Sequence, residues 1–548
     1  MSSLLKRARL LGVGVVVAAV AATTACTDLD VANLNDPDRF RALADPSDVD
    51  VLIGNTYRTI IRAAHGTQTS GHPAFGISAM SDELGMATQT ARARDRAMIP
   101  RIRFDNEGGQ EYPGHWTLRR PWDNYYVAIS AAVDGLQAIE DGDLQIGPDG
   151  VDTRRAQIFG HFIIGVGHLY TALQFDKGYW YDFGMELAED LDFQNMEAAG
   201  FGWVEYDEMA ERARAKLLDV LDMIESGPEF TLSEQWFNTI GETSEDLKAI
   251  VHTYIARSLV YTPRTPEERA AVDWEAVLHH AERGVQQDWG PIRSRNELGW
   301  WTNYQEYIRF GGAARIHPKL VGPADTSGAY QAWLATPHEE RTPFFVATPD
   351  RRFPTAAVNN LIPREASNTN PDEARAGVIF QYRTGNINSA SFAPWQNSAY
   401  TSNLGGSLGD FRTDDVPMQF MRPIELDFFR AEAYYRLGNP QAAADIINET
   451  RTTRGELPAV TVDGVPVSPG CVPRNEAGQC ADLFEALIYE QRIEAHGIFP
   501  YAAWANSRGW GTLEPGTTLH LPIPRRELDA IQQEVYTFGG VGGPGAAP

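Results

Sequence analysis

The chain has 548 residues, three cysteines, 43% hydrophobic residues and a formal net charge of −26 at pH 7. Such acidity opposes binding to nucleic acid phosphates and to anionic lipid headgroups, and the composition is that of neither a disordered chain nor a membrane fold. The length exceeds what one hydrophobic core usually supports, so we expect either two domains or an extended array of helices.

The N-terminus has the order of a secretory signal peptide. Basic residues precede an apolar run over residues 10–22, which is too short to span a membrane as a helix. Small residues follow, and then Cys26, which resembles the bacterial lipoprotein pattern in which the thiol receives a diacylglycerol. We predict a signal peptide over residues 1–25 and a lipidated tether over residues 26–40. Ordinary secretion with an incidental cysteine is the alternative.

Helical periodicity then recurs along the chain. Apolar residues at three- and four-residue spacings fall on one face of a helix. Asp273 is predicted to cap a further helix that begins at Trp274. The periodic stretches are residues 122–136, 159–173, 209–224 and 247–261.

The clearest helix pair covers residues 423–437 and 443–450. Between the two helices, Gly438 can take the left-handed conformation that ends a helix, Asn439 can cap the next helix, and Pro440 suits a first helical turn. This is a helix-turn-helix unit of the tetratricopeptide kind, although no strict 34-residue period runs through the chain.

Two long non-periodic stretches, residues 64–118 and 289–420, are rich in glycine, proline, asparagine, serine and aromatic residues. They offer only short strands, such as residues 377–382. Loops of this length in a compact protein are usually functional surfaces. We therefore predict a mostly α-helical protein, in which tetratricopeptide-like helix pairs form a superhelical scaffold that carries long elaborated loops.

Cys471 and Cys480 lie close together in a stretch rich in proline, glycine and asparagine. In an oxidising compartment this pair is expected to form a small local disulfide. A metal site is the alternative, but no histidine lies nearby to complete it.

The densest aromatic group of the loop stretches contains Trp300, Trp301 and Tyr304, and Trp116 is a further candidate. Flat aromatic faces suit sugar rings and peptide side chains, so we predict ligand contact for this group. Trp301 and Tyr304 also have helical spacing, which leaves burial in the core as the alternative for the group.

Patterns typical of catalytic or metal sites are weak in this chain. Residues 405–409 satisfy G-x-S-x-G around Ser407, but the flanking sequence predicts neither the preceding strand nor the following helix of a nucleophile elbow. His161 and His168 are expected to pack between helices. Acidic residues crowd residues 140–152 without EF-hand spacing, so a solvated turn is favoured over a cation site. We predict no catalytic residue, no bound metal and no cofactor.

Several fragments together resemble the SusD/RagB family of surface lipoproteins. They keep the order and spacing of that family over nearly the whole chain beyond the signal peptide. The fragments are Ser81–Leu84, Trp122–Ile129, Met421–Leu426, Ala431–Gly438, Ile488–Glu494, Arg508–Gly511 and Leu521–Pro524.

The resemblance implies a lipid-anchored protein on the outer face of an outer membrane, without enzymatic activity. It implies a SusC-like TonB-dependent β-barrel as partner, over whose mouth the lipoprotein acts as a lid. An oligosaccharide, a peptide or a similar nutrient is then captured and delivered to the barrel. An N-terminal helical part, residues 41–290, and a C-terminal part, residues 291–548, are expected to pack as one unit. A secreted helical-repeat scaffold that binds another protein and a surface hydrolase are the alternatives.

Overall fold

A computed structural model of the chain describes residues 43–66, 73–86, 93–104, 106, 116–185, 202–239, 241–293, 300, 302, 304–305, 308, 314–355, 379–382, 399–402 and 417–548. Over these ranges the protein is mostly α-helical, as predicted. Cys26, Trp301 and Ser407 lie outside the described residues.

The helices of the N-terminal half include four long ones that the periodicity predicted. In chain order they are α1 (Pro46–Gly54), α2 (Thr56–His65), α3 (Pro73–Met80), α4 (Ala93–Arg96), α5 (Trp116–Asp141), α6 (Thr153–Gln174), α7 (Tyr206–Glu225), α8 (Glu234–Phe237), α9 (Ser244–Tyr261), α10 (Pro266–Ala270) and α11 (Trp274–Arg283).

The C-terminal half begins with short helices and continues with the predicted helix pair. Its helices are α12 (Pro318–Val321), α13 (Ala329–Ala335), α14 (Pro423–Arg436), α15 (Pro440–Thr453), α16 (Leu483–Glu494), α17 (Ala502–Trp510) and α18 (Arg525–Ala530).

The strands within the described ranges form small antiparallel pairs. They are β1 (Leu84–Met86) with β4 (Ala314–Ile316), β2 (Lys177–Tyr179) with β3 (Trp203–Glu205), and β5 (Phe380–Tyr382) with β6 (Tyr400–Ser402). In register, Gly85 lies opposite Arg315, and Gln381 lies opposite Thr401. Each pair ties together segments that are distant in the chain or that flank a loop.

The long helices pack in succession. Helix α5 packs on α6, α6 on α7, α7 on α9, α9 on α11, α11 on α14, α14 on α15, and α15 on α16. Each helix thus buries its apolar face mainly against its neighbours, as in helical-repeat proteins. This confirms the predicted scaffold of helix pairs.

Close contact between the first of these helices depends on small residues in α6. A Cβ atom at Gly167 would lie 2.6 Å from a side-chain carbon of Ile129 on α5, and one at Gly165 would lie 2.9 Å from Leu217 on α7. Real side chains do not approach so closely, so these glycines let α6 sit between its two neighbours.

The turn between α14 and α15 has the predicted geometry. Gly438 has a φ of 79°, and the Asn439 side chain accepts a hydrogen bond from the backbone N–H of Ala442 at 3.3 Å. Pro440 opens α15. A glycine that ends one helix and an asparagine that caps the next therefore set the angle of this pair.

Buried ion pairs join the N-terminal helices to the C-terminal ones. Arg257 on α9 meets Glu425 on α14 at 2.6 Å, and both side chains are about 2% exposed. Arg269 on α10 meets Glu432 on α14 at 2.7 Å, and this pair is also buried. The ion pairs fix how α14 lies on the earlier helices, because a buried charge without its partner is costly.

The loop before α16 is closed by a disulfide between Cys471 and Cys480, which fixes its base beside α15 and α16. None of the described helices combines the length and the apolar character that crossing a membrane requires.

Candidate ligand-binding cavity

A cavity of about 460 Å³ opens where α16 and α17 meet the disulfide loop, α12 and the turn after α3. Its rim includes exposed residues, among them Glu476, Ala477 and Thr512, so the cavity is open to solvent. This volume is within the range that small-molecule sites occupy. Its wall includes Ser81, Asp82, Lys319, Tyr330, Glu485, Ile488, Gln491, Arg492, Asn506, Ser507 and Trp510.

One wall of the cavity is a face of α16. This helix begins with a capping box, in which the Asp482 side chain accepts from the Glu485 N–H and the Glu485 side chain accepts from the Asp482 N–H. Residues on the other faces, such as Leu487 and Ile493, are buried in the core. Ile488 and Arg492 follow Glu485 at three- and four-residue spacings, which brings all three to the cavity.

The facing wall comes from α17, where Asn506 and Trp510 are one turn apart. The Trp510 ring is half-buried, and its Nε1–H donates to a carboxylate oxygen of Glu432 at 3.1 Å. Because Glu432 is itself held by Arg269, the indole has a fixed orientation. The cavity therefore has a rigid, partly accessible aromatic surface, which suits contact with an apolar ligand face.

Arg492 lies beside this aromatic surface. Its guanidinium carbon is 5.8 Å from the centre of the Trp510 ring, and Nη2 donates to Ser507 Oγ at 3.1 Å and to Thr512 Oγ1 at 3.0 Å. Burial lowers the pKa of Arg492, although Tyr330, Asp82 and Glu476 act in the opposite direction. The guanidinium is therefore anchored by hydroxyl groups on the cavity wall.

The floor of the cavity is charged but internally paired. Asp82, in the left-handed conformation with a φ of 57°, accepts from Arg101 at 2.6 Å. Burial would raise the pKa of Asp82, but Arg101, His317 and Lys319 outweigh it and hold the pKa well below its usual range. Lys319 also contacts Glu514. The floor thus presents groups whose charges are already compensated.

The predicted aromatic ligand group takes different positions in the structure. Trp300 and Tyr304 are 2% and 0% exposed, in two different core clusters. The Tyr304 hydroxyl donates to the Glu83 carboxylate at 2.7 Å, and burial raises the pKa of Glu83. Both residues thus lie in the core, which was the alternative to ligand contact. Trp116 begins α5, and neither Trp300 nor Tyr304 lines the cavity.

Several histidines have packing roles, among them His168, which the sequence singled out. His168 is buried, its Nδ1 lies 2.8 Å from the Ile164 carbonyl, and its Nε2 accepts from the Tyr181 N–H at 3.1 Å. His280 is buried against His252, whereas the adjacent His279 is exposed. Among the described residues, no group of three or more histidine, cysteine, aspartate or glutamate side chains is placed to hold a metal ion.

A serine and a histidine do meet at one point, next to the cavity. Ser402 Oγ lies 2.5 Å from His496 Nε2, and His496 Nδ1 lies 2.8 Å from the Ile493 carbonyl. Ser402 is fully buried, and the ring of Phe380 stacks on His496 with centroids 5.3 Å apart. A nucleophile must reach its substrate, so this pair serves packing between β6 and the end of α16.

The sequence did not identify the cavity residues, although two of the fragments that resemble the family contain some of them. Arg492 and Trp510 stand in two of the fragments that carry the family resemblance. The signal that could have found Arg492 is its helical spacing from Glu485 and Ile488, which places the three residues on one face of α16. Their convergence with Asp82 and Lys319 depends on contacts between distant segments.

No protein-family model matches the sequence, and no curated protein matches it either. Solved structures do match. A SusD superfamily protein from Bacteroides vulgatus superposes with a TM-score of 0.51 and 14% identity, over 88% of this chain and 97% of that one.

Two further solved structures superpose somewhat less closely. Surface glycan-binding protein A from Bacteroides uniformis gives a TM-score of 0.49 at 14% identity, over 89% of this chain and 98% of its own. A SusD homologue from Bacteroides thetaiotaomicron gives 0.48 at 12% identity, over 91% and 98%. The superposition on the Bacteroides vulgatus protein, at 14% identity, establishes the fold alone: this chain has the SusD-like fold.

Proposed function

We propose that this SusD-like protein is a non-enzymatic, lipid-anchored nutrient-binding protein of the outer membrane. It binds an oligosaccharide, a peptide or a similar nutrient in the cavity between α16 and α17 and delivers it to a SusC-like TonB-dependent transporter, whose lid it forms. The observation that carries the binding role is the open cavity, in which the fixed Trp510 ring lies beside Arg492.

The chemistry of the wall supports this role. An aromatic face contributes apolar contact, and hydrogen-bonding side chains such as Asn506 and Ser507 lie beside it. Ligand sites commonly combine a mainly apolar surface with a few placed polar groups. The SusD-like fold and the family resemblance of the sequence support the transporter partner, and the predicted lipid at Cys26 supports the surface location.

Replacing Trp510 tests the binding role. The purified full-length protein in detergent is screened by calorimetry against panels of glycans and peptides, and the best ligand is then titrated into Trp510→Ala and Trp510→Phe. Loss of the ring should weaken binding by about 10- to 100-fold, the usual effect of removing a central aromatic contact. Phenylalanine retains the apolar face and should keep most of the affinity.

Trp203→Ala is the matched control, because Trp203 is a half-buried tryptophan that lies on β3, outside the cavity. It should leave the affinity unchanged. Equal weakening by Trp203→Ala, or normal binding by Trp510→Ala, would place the ligand elsewhere.

Copurification tests the transporter role. Tagged protein extracted from native membranes should bring down a β-barrel transporter, and Cys26→Ser should lose the membrane fraction while it retains the ligand affinity of the wild type. Recovery of the protein without any barrel would contradict delivery. It would favour a secreted scaffold if other proteins were recovered instead.

A further inference from the structure

Arg492 lines the cavity and, among the described residues, has no carboxylate partner. Its Nη2 is used by Ser507 and Thr512, whereas Nε and Nη1 form no hydrogen bond within the part of the chain that the structure describes. The side chain is half-buried on the cavity wall. A protonated guanidinium with free N–H donors is therefore available to a ligand.

The neighbouring charges do not satisfy Arg492. The Asp82 carboxylate is engaged by Arg101, and the Glu485 carboxylate accepts the capping hydrogen bond at the start of α16. Glu476 lies at the exposed rim, where water screens its charge. A half-buried cation that lacks a close partner favours an anion beside it, because charge-assisted hydrogen bonds are about twice as strong as neutral ones.

A second unsatisfied group lies next to it. Gln491 lines the same cavity and is 4% exposed, and its Oε1 has no hydrogen-bond partner among the described residues. Buried polar groups are nearly always paired, so such an acceptor is a place where a bound molecule can supply the missing donor. The two adjacent residues thus offer cationic donors and an amide at one point of the wall.

We propose that the cavity selects ligands that carry a carboxylate, which accepts hydrogen bonds from Arg492 Nε and Nη1 while the adjoining apolar part of the ligand lies against Trp510. This inference rests on the proposed nutrient-binding function of the cavity. The carboxylate can belong to a uronic acid unit of a glycan or to the C-terminus of a peptide.

Matched pairs of probes test the proposal and separate the two sources. One pair is a trigalacturonate and its methyl ester, and the other is a tripeptide and its C-terminal amide. Within each pair the neutral member lacks the carboxylate charge and otherwise keeps the same backbone. At pH 7 the free acid of one pair should bind at least about tenfold more tightly than its neutral counterpart, as expected for a hydrogen bond to a charged group.

Variants at Arg492 connect that preference to the residue. Arg492→Gln should reduce the preference for the acid to less than about twofold, and Arg492→Lys, which keeps the charge, should retain part of it. Arg212→Gln is the matched control, since Arg212 is exposed on α7, pairs with Glu208 and does not line the cavity, and it should leave the preference unchanged. If Arg492→Gln does not fold, the affinities of Arg492→Lys and of the wild type for the two probe pairs still test the proposal.

Equal binding of acid and neutral probes, tighter binding of the neutral probe, no binding of any probe in the two pairs, or a preference that survives in Arg492→Gln would overturn the proposal. The proposed function stands independently if neutral glycans or peptides bind in a manner that depends on Trp510. The nutrient-binding role itself fails if the broad panels yield no ligand.

Discussion

Arginines lie both in the buried contacts of α14 with α9 and α10, called the joints below, and in the wall of the cavity. The two regions differ in how the charge of the arginine is paired. At the joints, Arg257 and Arg269 are about 2% and 0% exposed, and each faces a carboxylate on α14. At the wall, Arg492 is half-buried, and within the described part of the chain it donates to two hydroxyl groups and forms no ion pair. The joints therefore contain neutralised pairs, and the wall contains a cation that is still able to bind.

The difference separates charges that maintain the fold from charges that can serve a ligand. Burying an unpaired ion costs several kcal/mol, so the charges at a joint must be matched by the protein itself. A charge at an open cavity keeps contact with water and can exchange that contact for a ligand. The charges of the arginines are thus fully paired in the deeply buried joints and incompletely paired at the half-buried wall.

Breaking a joint should have the largest effect. Glu425→Ala leaves the Arg257 guanidinium buried without its carboxylate, and it also removes the acceptor of the Tyr261 hydroxyl at 2.7 Å. We expect the free energy of unfolding to fall by about 3–5 kcal/mol. Urea denaturation followed by circular dichroism measures the change.

The matching experiment at the surface is Glu208→Ala, which breaks an exposed pair with Arg212 on α7. It should change the unfolding free energy by about 0–1 kcal/mol. The double variant Arg257→Met/Glu425→Leu removes both buried charges and should be more stable than Glu425→Ala. A loss as small as that of Glu208→Ala would show that the joint does not depend on its ion pair.

The helices of the joints could be predicted from the sequence because their signals are local. Apolar spacing located α6, α7 and α9, and the glycine, asparagine and proline at 438–440 located the turn between α14 and α15. Caps and periodicity act within one or two turns of chain, so a single sequence contains them.

The cavity could not be predicted in the same way. It combines Asp82, Lys319, Arg492 and Trp510, which are far apart in the chain and meet only when the helix array is assembled. Spacing alone also cannot say whether an aromatic residue faces a ligand or the core. Trp300 and Tyr304 fit both interpretations from the sequence, and long-range packing buries them.

Asp176, between α6 and β2, departs from the pattern of the joints. Its carboxylate is mostly buried and forms no ion pair with an arginine or lysine of the described ranges. It accepts from the Tyr536 hydroxyl at 2.8 and 2.9 Å. Burial raises the pKa of Asp176 to about 6, and the Tyr536 hydroxyl and Lys177 only partly oppose this. The folded protein therefore holds this proton in a range of pH where the unfolded chain, with an ordinary pKa of about 3.9, has released it.

The ionisation of Asp176 gives a smaller, pH-dependent test of whether a buried charge without an ion-pair partner lowers the stability. The stability that its bound proton contributes is fully present below about pH 4 and is lost as the pH rises through about 6, because deprotonation then leaves a buried charge. Asp176→Asn keeps the acceptor for Tyr536 and cannot ionise, so the variant should gain about 1–2 kcal/mol relative to the wild type between pH 4 and pH 7. Asp222→Asn, at an exposed position on α7, is the control and should run parallel to the wild type. Chemical denaturation at several pH values measures the difference, and parallel curves for Asp176→Asn and the wild type would mean that this carboxylate has a partner that stabilises its charge.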